Sequence, residues 1–429
     1  MKKVAFYTLG CKVNQQETDA MRTMFEGAGY VTVLFEDTAD VYVVNTCTVT
    51  QVSDKKSRQM IARAHARNPL GVIAVVGCYA QRAPEEVKKM PGVQLIVGTQ
   101  HRERIVELVE NLQEQRDAVE DIRYAKEFET LPTVVQSSRT RVQLKIQDGC
   151  DRFCAYCIIP YARGPVRSRP LAEVEAELRA LGEAGAQEVV LTGIHLMSYG
   201  KDLAEKPSLG DVVRIAGRTP GIGRVRLGSL EPALIDDAFV AALLDVPKEK
   251  LALQFHLSLQ SGSPGVLSRM RRRYTPQDYE AAAERLRRAF PGCALTTDMI
   301  AGFPGETDEE HRESLAFAEH MAFARVHVFP YSRRSGTVAA ELPGQLPKAV
   351  KESRAHELIV LSDRMEQEYL LAQIGTVQLV LGEETDGEIC EGYAGNYVRV
   401  RYHGGRVGAL ERVSVTGMED GVLIGTLTE

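Results

Sequence analysis

Three cysteines lie within eight residues in the stretch DGCDRFCAYCIIP. Cys150, Cys154 and Cys157 follow a C-x3-C-x2-C spacing directly after the alternating apolar residues of 142–146, which predict a strand. Thiolates bind zinc and iron–sulfur clusters, and the structural sites of both kinds normally use four protein ligands. No fourth Cys or His is near in sequence, since the next cysteine is Cys293. The spacing therefore predicts a metal centre with one open coordination position, as catalytic metals have.

A second group of cysteines is spread along the first part of the chain. Cys11, Cys47 and Cys78 each follow a predicted buried strand, in the tripeptides LGC, NTC and VGC. Because the carboxyl ends of parallel strands share one crevice, we expect these three thiols to converge, with Gly10 and Gly77 allowing close backbone approach. The alternative is three buried cysteines that act as small hydrophobic residues. Three cysteines at equivalent strand ends favour a second cluster with an open iron.

Composition limits the class of protein. Hydrophobic residues make up 44% and charged residues 26% of the 429 residues, as in an ordinary globular protein of about three domains. No apolar run is long enough to span a membrane, and MKKVAFYTLGCK is typical of a first strand rather than a signal peptide. Eight cysteines are too sparse for a disulfide scaffold. We therefore expect a cytoplasmic protein with reduced thiols and no membrane contact.

The net charge of −6 does not favour nucleic-acid binding by the chain as a whole, so any such binding would depend on local clusters of basic residues. Arginines in predicted loops could contact phosphate or form solvated faces, and the sequence leaves both readings open. These loop groups are Arg163, Arg167 and Arg169; Arg269, Arg271, Arg272 and Arg273; Arg333 and Arg334. A further group at 285–288 falls within a predicted amphipathic helix, which favours a solvated face.

The alternation of elements predicts an α/β protein in three parts. Residues 1–116 alternate buried strands with helices, which predicts a doubly wound parallel domain. Residues 117–139 lack periodicity and are predicted to be a linker. Residues 140–366 contain six strand–helix repeats, which predict a partial (βα)6 barrel with its chemistry at the carboxyl ends of the strands. Residues 367–429 are short strands between Gly and Asp turns, which predict a small OB-like all-β barrel.

Polar and glycine residues recur at the predicted strand ends of the central domain. We expect five of them to bind a nucleoside cofactor there, because glycine lets a ligand approach the backbone and the polar groups supply hydrogen bonds. These candidates are Gly193, Ser229, Glu231, Gln260 and Gly302.

An aromatic and arginine face is predicted in the last domain. The period of two in YVRVRY places Tyr397, Arg399 and Arg401 on one side of a strand. Such a face suits RNA. Residues 367–429 hold ten acidic and only four basic residues, so any RNA contact must be local.

The central cysteine spacing, with Tyr156 beside the last cysteine, resembles the radical S-adenosylmethionine enzymes. The whole chain resembles the methylthiotransferases of that superfamily, which have an N-terminal methylthiotransferase domain, a radical core and a TRAM barrel. The segments TLGCKVNQQETDAM, HLSLQSGS, DMIAGFPGET and FPYSRRSGT are most similar to the branch acting on N6-threonylcarbamoyladenosine at position 37 of tRNA. The isopentenyladenosine branch more often has GCQMN and the ribosomal-protein branch LGCPKN, whereas this chain has GCKVN. Pro165 departs from the polar residue common in the family.

The resemblance implies two [4Fe–4S] clusters, one on each set of three cysteines, with S-adenosylmethionine as both radical source and methyl donor. It implies insertion of a methylthio group at carbon 2 of the modified adenine. The expected partners are a tRNA anticodon loop, a flavodoxin-like or ferredoxin-like electron donor and a sulfur donor. The alternatives are a methylthiotransferase acting on isopentenyladenosine-37 of tRNA or on a ribosomal-protein aspartate, and a non-catalytic iron–sulfur electron carrier or RNA-binding protein.

Overall fold

The computed structural model describes residues 1–113, 116–132 and 140–428. The described residues of the N-terminal domain form six strands and five helices. The strands are β1 Lys3–Thr8, β2 Val31–Val33, β3 Val41–Thr46, β4 Val72–Gly77, β5 Val93–Val97 and β6 Arg116–Asp117. The helices are α1 Lys12–Gly27, α2 Gln51–Arg67, α3 Cys78–Arg82, α4 Pro84–Lys88 and α5 Ile105–Glu110.

All six strands are parallel, in the order β2-β1-β3-β4-β5-β6. Residues of β3 alternate between two apolar clusters, with Tyr42 and Val44 facing one and Val41 and Val43 the other. Helices α2, α3 and α4 contribute to the first cluster, and α1 and α5 to the second. Burial on both faces explains the continuous apolar strands, and it confirms the predicted doubly wound domain. The short edge strands β2 and β6 were not predicted.

The central domain contains seven strands and nine helices among its described residues. The strands are β7 Arg141–Asp148, β8 Arg167–Ser168, β9 Glu188–Gly193, β10 Arg224–Leu227, β11 Gln254–His256, β12 Ala294–Ala301 and β13 Arg325–Pro330. The helices are α6 Ile159–Arg163, α7 Leu171–Glu183, α8 Leu209–Arg218, α9 Asp237–Leu244, α10 Pro264–Arg269, α11 Pro276–Ala289, α12 Asp308–Met321, α13 Val338–Glu341 and α14 Lys348–Leu371.

Six of these strands form the predicted parallel partial barrel. The ladders β10-β9-β7 and β11-β12-β13 are joined by single bridges, Val225 with Leu251 and Leu230 with Leu257. The additional strand β8 pairs antiparallel with β7, so β8 and β13 are the two edges of an open barrel. A single large apolar core lies between this sheet and its helices. The carboxyl ends of the strands therefore face a common opening, as the repeat predicted.

The C-terminal domain is a closed five-stranded barrel in the order β14-β15-β16-β18-β17. Val380, Val400 and Val413 are among the residues that fill its core. This barrel confirms the predicted OB-like domain. Its strands are β14 Val377–Asp386, β15 Ile389–Ala394, β16 Arg399–His403, β17 Leu410–Glu419 and β18 Val422–Leu427.

Two buried arginines attach the C-terminal barrel to the central domain. Arg224 and Arg226 both pair with Glu188, at 2.5 and 2.7 Å. Their remaining N–H groups donate to backbone carbonyl oxygens of the C-terminal barrel at 2.8–3.2 Å. Those carbonyls belong to Leu379, Tyr393, Ala394 and Gly395.

The segment predicted to be a linker is partly packed. Its start forms β6, and Glu129 accepts a 2.9 Å hydrogen bond from the buried Arg102 side chain. Residues 133–139 lie outside the described residues. Helix α14 runs across position 366, so the domain boundaries given above stay a prediction. No helix in the described part of the chain is both long enough and apolar enough to cross a membrane.

Candidate metal centres and cofactor site

Cys150, Cys154 and Cys157, the central cysteine group, lie in a tight loop at the carboxyl end of β7. Gly149 has a positive φ of 72°, and a Cβ there would lie 1.7 Å from the Pro165 carbonyl oxygen. Only glycine fits this position without a shift of backbone. The Cys150 N–H donates to the Gly164 carbonyl at 3.0 Å, and the Cys157 N–H to that of Cys154 at 2.9 Å. These contacts fold the loop back on itself and bring its thiols together.

The thiols of this group influence one another's ionisation. Burial, with Cys154 and Cys150 as electrostatic neighbours, raises the pKa of Cys157 to about 12. Burial likewise raises the pKa of Cys150 to about 11, with Cys154 adding to the shift. Without metal, the Cys150 and Cys157 thiols are therefore protonated at neutral pH, and a bound metal would replace those protons.

A half-buried arginine, Arg272, contacts the central cysteine group. The Arg272 Nη1 lies 3.3 Å from the Cys154 Sγ, and its Nη2 donates to the Ser258 carbonyl at 3.3 Å. The guanidinium also lies 4.8 Å from the Tyr274 ring centroid. Hydrogen bonds to cysteine sulfur tune the reduction potential of an iron–sulfur cluster. Sequence reasoning grouped Arg272 with possible phosphate ligands, and the structure places it against a thiol instead.

Cys11, Cys47 and Cys78, the N-terminal cysteine group, converge as predicted. Cys78 begins α3 and Cys11 immediately precedes α1. Gly10 has a φ of 107°, and a Cβ there would lie 3.0 Å from the Cys47 Sγ. Burial, with the other two thiols adding, raises the pKa of Cys78 to about 12. The sequence-distant cysteines therefore share one site, while their role as cluster ligands stays a prediction.

The donor chemistry of both groups fits an iron–sulfur cluster. In residues 1–113, 116–132 and 140–428, no three His, Cys, Asp or Glu side chains are arranged around a single metal ion. A cluster binds each cysteine at a different iron atom, so its ligands stand farther apart than those of one ion. Each group supplies three thiols and an arginine N–H at a sulfur, and thiolates are the usual ligands of iron–sulfur clusters.

Arg163 connects the two cysteine groups. Its Nε lies 3.3 Å from the Cys78 Sγ, and its Nη2 donates to the Asn14 Oδ1 at 2.6 Å. Its Nη1 contacts Glu17 at 2.5 Å and Asp148 at 3.1 Å. Asp148 begins the loop of the central cysteine group, and Asn14 lies one turn after Cys11. One buried guanidinium therefore fixes the two sites relative to each other.

Asn14, in the first turn of α1, connects two segments of the chain and does not cap the helix. Its Nδ2 donates to the Leu9 and Thr46 carbonyl oxygens at 2.8 and 3.0 Å. The N-cap residue of α1 is Cys11, which has no side-chain capping bond. Asn14 therefore joins the chain before Cys11 to the chain before Cys47, and it holds the N-terminal cysteine group together.

Most of the loop arginines considered as phosphate ligands are buried in ion pairs or against the cysteines. Arg334 of the central domain, for example, pairs with Asp54 in α2 of the N-terminal domain, shortly after Cys47 in sequence. These buried or paired arginines are Arg163, Arg167, Arg169, Arg269, Arg272 and Arg334. Only Arg271, Arg273 and Arg333 of those groups are exposed and form no ion pair with a described residue.

Glu231 is the best supported of the predicted cofactor residues. It pairs with Arg152, from the central cysteine loop, at 3.0 Å and with the Nε2 of His195. Burial opposes ionisation, but the hydrogen bond to His195 and the nearby Arg272 and Arg152 guanidiniums lower the pKa of Glu231 to about 2. The backbone N–H of His195 donates to the Gln147 Oε1 at 2.7 Å. Sequence reasoning did not include His195 or Gln147, because an isolated histidine or glutamine carries little signal.

The other predicted cofactor residues occupy varied positions. A Cβ at Gly193 would lie 3.0 Å from that of Gln147, so this glycine permits close strand contact. Gln260 has a φ of 73°, and its N–H donates to the Asp298 carbonyl at 2.8 Å. Gly302 faces α14, where a Cβ would lie 2.3 Å from the Lys351 Cγ.

Ser229 lines a cavity of about 480 Å³ inside the open barrel. This barrel cavity is bounded by all three domains. Its lining includes Lys12, Gly228, Ser229, His256, Asp298, Arg325, His327, Glu366, Tyr397, Arg399 and Asp420. Tyr397 was expected on the face of a strand with Arg399 and Arg401, but it lies before β16 and has a φ of 69°. The Arg226 guanidinium lies 4.7 Å from the centroid of the Tyr397 ring.

Two parts of the chain match known families. Residues 3–98 match the family described as Uncharacterized protein family UPF0004, and residues 144–318 match the Radical SAM superfamily. A solved structure of the radical S-adenosylmethionine methyltransferase TsrM from Kitasatospora setae has a TM-score of 0.57 at 16% identity, covering 90% of this chain and 79% of that one. This likeness shows the fold alone.

Curated relatives match along almost the whole chain. The threonylcarbamoyladenosine tRNA methylthiotransferase MtaB of Bacillus subtilis is 45% identical, covering 94% of this chain and 91% of that protein. The tRNA-2-methylthio-N(6)-dimethylallyladenosine synthase of Streptomyces viridosporus is 35% identical, covering 88% of this chain and 76% of that protein. The chain is therefore a radical S-adenosylmethionine enzyme of the tRNA methylthiotransferase family, in the branch of the threonylcarbamoyladenosine methylthiotransferases.

Proposed function

We propose that this enzyme transfers a methylthio group to carbon 2 of N6-threonylcarbamoyladenosine at position 37 of tRNA. The observation that carries the proposal is the link made by Arg163. A radical enzyme needs one site that generates a radical, and sulfur insertion needs a second site that holds sulfur nearby. Arg163 joins Cys78 of the N-terminal group to Asp148 at the start of the central group's loop, so the two sites face one interface.

Each cysteine group would hold one [4Fe–4S] cluster, and the central group would also bind S-adenosylmethionine at its open iron. When bound, these cofactors supply the radical, the sulfur and the methyl group, which no side chain can provide. The chain's own residues hold and surround them. Arg272 and Arg163 donate to cysteine sulfur, which stabilises negative charge on each cluster. The ionised Glu231 is a carboxylate acceptor beside the central group, suited to a cofactor's amino or hydroxyl groups.

Exposed side chains around the central cysteine group suit an anticodon loop. Phe153 lies between Cys150 and Cys154 and contacts Tyr161, and both rings are more than two-fifths exposed. Exposed aromatic rings stack on unpaired bases. Arg271 and Arg273 flank Arg272 in sequence, and both are exposed. These arginines are therefore placed to contact tRNA phosphates near the cluster.

The remaining partners are also proposals. Reduction of the central cluster needs a one-electron donor of the flavodoxin or ferredoxin class, and repeated turnover needs an exogenous sulfur donor. Modification of tRNA is consistent with a cytoplasmic enzyme that has no membrane partner.

The decisive test is anaerobic reconstitution of the enzyme with iron and sulfide, followed by incubation with S-adenosylmethionine, reductant and tRNA. Mass spectrometry of the tRNA nucleosides should detect 2-methylthio-N6-threonylcarbamoyladenosine, with release of 5′-deoxyadenosine. Product only from isopentenyladenosine tRNA would favour the first alternative substrate, and modification of a ribosomal-protein aspartate would favour the second. No 5′-deoxyadenosine with any of these substrates would favour an electron carrier or RNA-binding protein.

A further inference from the structure

The lining of the barrel cavity includes a positively charged side chain that forms no ion pair with a described carboxylate. Arg325 pairs with Glu366 at 3.2 Å, and the His256 Nε2 lies 3.3 Å from the Asp298 carboxylate. Arg399 pairs with Glu391. Lys12 lines the same cavity and forms no ion pair with any residue in the described ranges. A positive charge is therefore available at the boundary of three domains.

Tyr397 of the C-terminal barrel lies beside this lysine. The Lys12 Nζ is 5.9 Å from the centroid of the Tyr397 ring. Tyr397 is held in a left-handed conformation, and its ring stacks on Tyr393 with centroids 5.0 Å apart. Backbone conformations that are unfavourable for a bulky side chain persist only where tertiary contacts hold them, and they cluster at binding sites. The Tyr397 ring is thus held next to an exposed cation, Lys12.

The cavity reaches from this pair toward the catalytic end of the barrel. Ser229 lies in its lining, two residues before Glu231, which pairs with Arg152 of the central cysteine loop. Lys12 itself follows Cys11 of the N-terminal group. The cavity lining therefore includes Lys12, which is adjacent in sequence to one cysteine group, and Ser229, which is close in sequence to a residue paired with the loop of the other. Lys12 and Tyr397 also line an adjoining cavity with the exposed Glu384 and with Glu383, which pairs with Arg141 at 2.7 Å. Within the barrel cavity, Asp298 and the exposed Asp420 disfavour an anion away from Lys12, so an anionic group there would be drawn to Lys12.

We propose that Lys12 and Tyr397 form a subsite for the free carboxylate of the threonyl group on the target adenosine. This inference rests on the proposed function and names the residues that select its substrate. The threonylcarbamoyl group carries a carboxylate, whereas an isopentenyl group is apolar, so a cation at this place discriminates between them.

The subsite can be tested with the anaerobically reconstituted holoenzyme and tRNA labelled for fluorescence anisotropy, without reductant. The tRNAs carry threonylcarbamoyladenosine, unmodified adenosine or isopentenyladenosine at position 37. Lys12→Gln should weaken binding of the first tRNA by about ten- to hundredfold, the value of one charge-assisted hydrogen bond, and leave the other two unchanged. Lys12→Arg should retain most of the preference. Lys56→Gln, an exposed lysine in α2, is the matched control.

Three outcomes would overturn the proposal. An equal loss for all three tRNAs would mean that Lys12 contacts a backbone phosphate. An unchanged preference in Lys12→Gln, with wild-type iron content and melting temperature, would mean that the carboxylate binds elsewhere. Tighter binding of the unmodified tRNA alone to Lys12→Gln would mean that Lys12 excludes that tRNA and does not bind the carboxylate. Failure of the proposed function is distinguishable, because the wild-type enzyme would then show no preference for the threonylcarbamoyl tRNA and form no methylthio product.

Discussion

The Arg163 Nε lies 3.3 Å from the Cys78 Sγ, although the two residues belong to different domains. This contact places a permanent positive charge against one thiol of the N-terminal cysteine group. The same side chain bonds Glu17 and Asn14, so its loss would disturb both the thiol's environment and the domain interface.

We expect Arg163→Lys to change the electron paramagnetic resonance signal of the N-terminal cluster and to leave that of the central cluster unchanged. Lysine keeps the charge but cannot reach the thiol, Asn14 and Glu17 together, because its donors radiate from one atom. Electron paramagnetic resonance of the reduced protein should show one altered cluster signal, while the central cluster keeps its signal and its response to S-adenosylmethionine. Two unchanged signals would show that the contact is incidental. Arg179→Lys, on the exposed face of α7, is the control.

Removing one cysteine from each group should remove one cluster at a time. Cys11→Ala and Cys150→Ala should each lower the iron content to about half of the wild-type value, because in the proposed function each group would hold one four-iron cluster. Cys293→Ala, a buried core cysteine, should leave the iron content unchanged. Wild-type iron in Cys11→Ala would mean that the converging thiols of the N-terminal group bind no cluster.

Glu17→Gln should destabilise the interface between the first two domains. Burial opposes ionisation of Glu17, but Arg102, Arg163 and Lys145 lower its pKa to about 2. Replacing it leaves buried cations without their shared carboxylate, which costs about 3–5 kcal/mol of unfolding free energy. Chemical denaturation at neutral pH measures the loss, and Glu107→Gln in an exposed pair is the control.

The same carboxylate should contribute to acid unfolding. Its folded pKa lies below the ordinary value of 4.5, so its stabilising contribution is complete above that pH and is lost as pH falls toward about 2. Melting temperatures measured from pH 5 to pH 3 should therefore fall less steeply in Glu17→Gln than in the wild type. Parallel curves would contradict the inferred shift.

Gly302→Ala separates packing from cofactor binding at a predicted cofactor residue. The φ of 74° and the close approach of Lys351 should make alanine destabilising by about 1–3 kcal/mol. We expect the folded variant to bind S-adenosylmethionine with nearly wild-type affinity in equilibrium dialysis. Lost affinity with unchanged stability would instead support direct contact with the cofactor. Gly185→Ala, with a positive φ and open space around it, is the control for backbone strain.

Arg271, Arg273 and Arg333 should carry part of the salt dependence of tRNA binding. Each replaced phosphate ligand lowers the slope of log affinity against log salt by about one. Single alanine variants, titrated with tRNA at several salt concentrations, provide the measurement. Arg312→Ala in α12, which pairs with Glu309, should leave the slope unchanged.

The fold was predictable because its signals are local. Continuous apolar strands such as β3 and the strand–helix repeats of the central domain indicate both parallel sheets without tertiary information. The short strands β2, β6 and β8 escaped prediction, because two or three residues carry no periodicity. The convergence of Cys11, Cys47 and Cys78 was predictable only through the sheet, since parallel strands bring their ends to one edge.

The arginines show where sequence reasoning fails. Arg163, Arg272 and Arg333 all fall in predicted loops, yet Arg163 ends α6, Arg163 and Arg272 contact thiols, and Arg333 is exposed. A charged side chain in a loop gives no local sign of burial, because its partners are distant in sequence. The partner of Arg163 is 85 residues away at Cys78, and that of Arg272 is 118 residues away at Cys154.

The attachment of the C-terminal barrel through Arg224 and Arg226 has a consequence for how the protein can vary. Every acceptor that these guanidiniums use in the barrel is a backbone carbonyl. A carbonyl oxygen is present whatever side chain the residue bears, so mutations on the barrel side cannot delete the bond without distorting the strand. The two arginines and Glu188 therefore form an attachment site that does not depend on the side chains of the barrel. A barrel with a quite different surface sequence could bind to it in the same way.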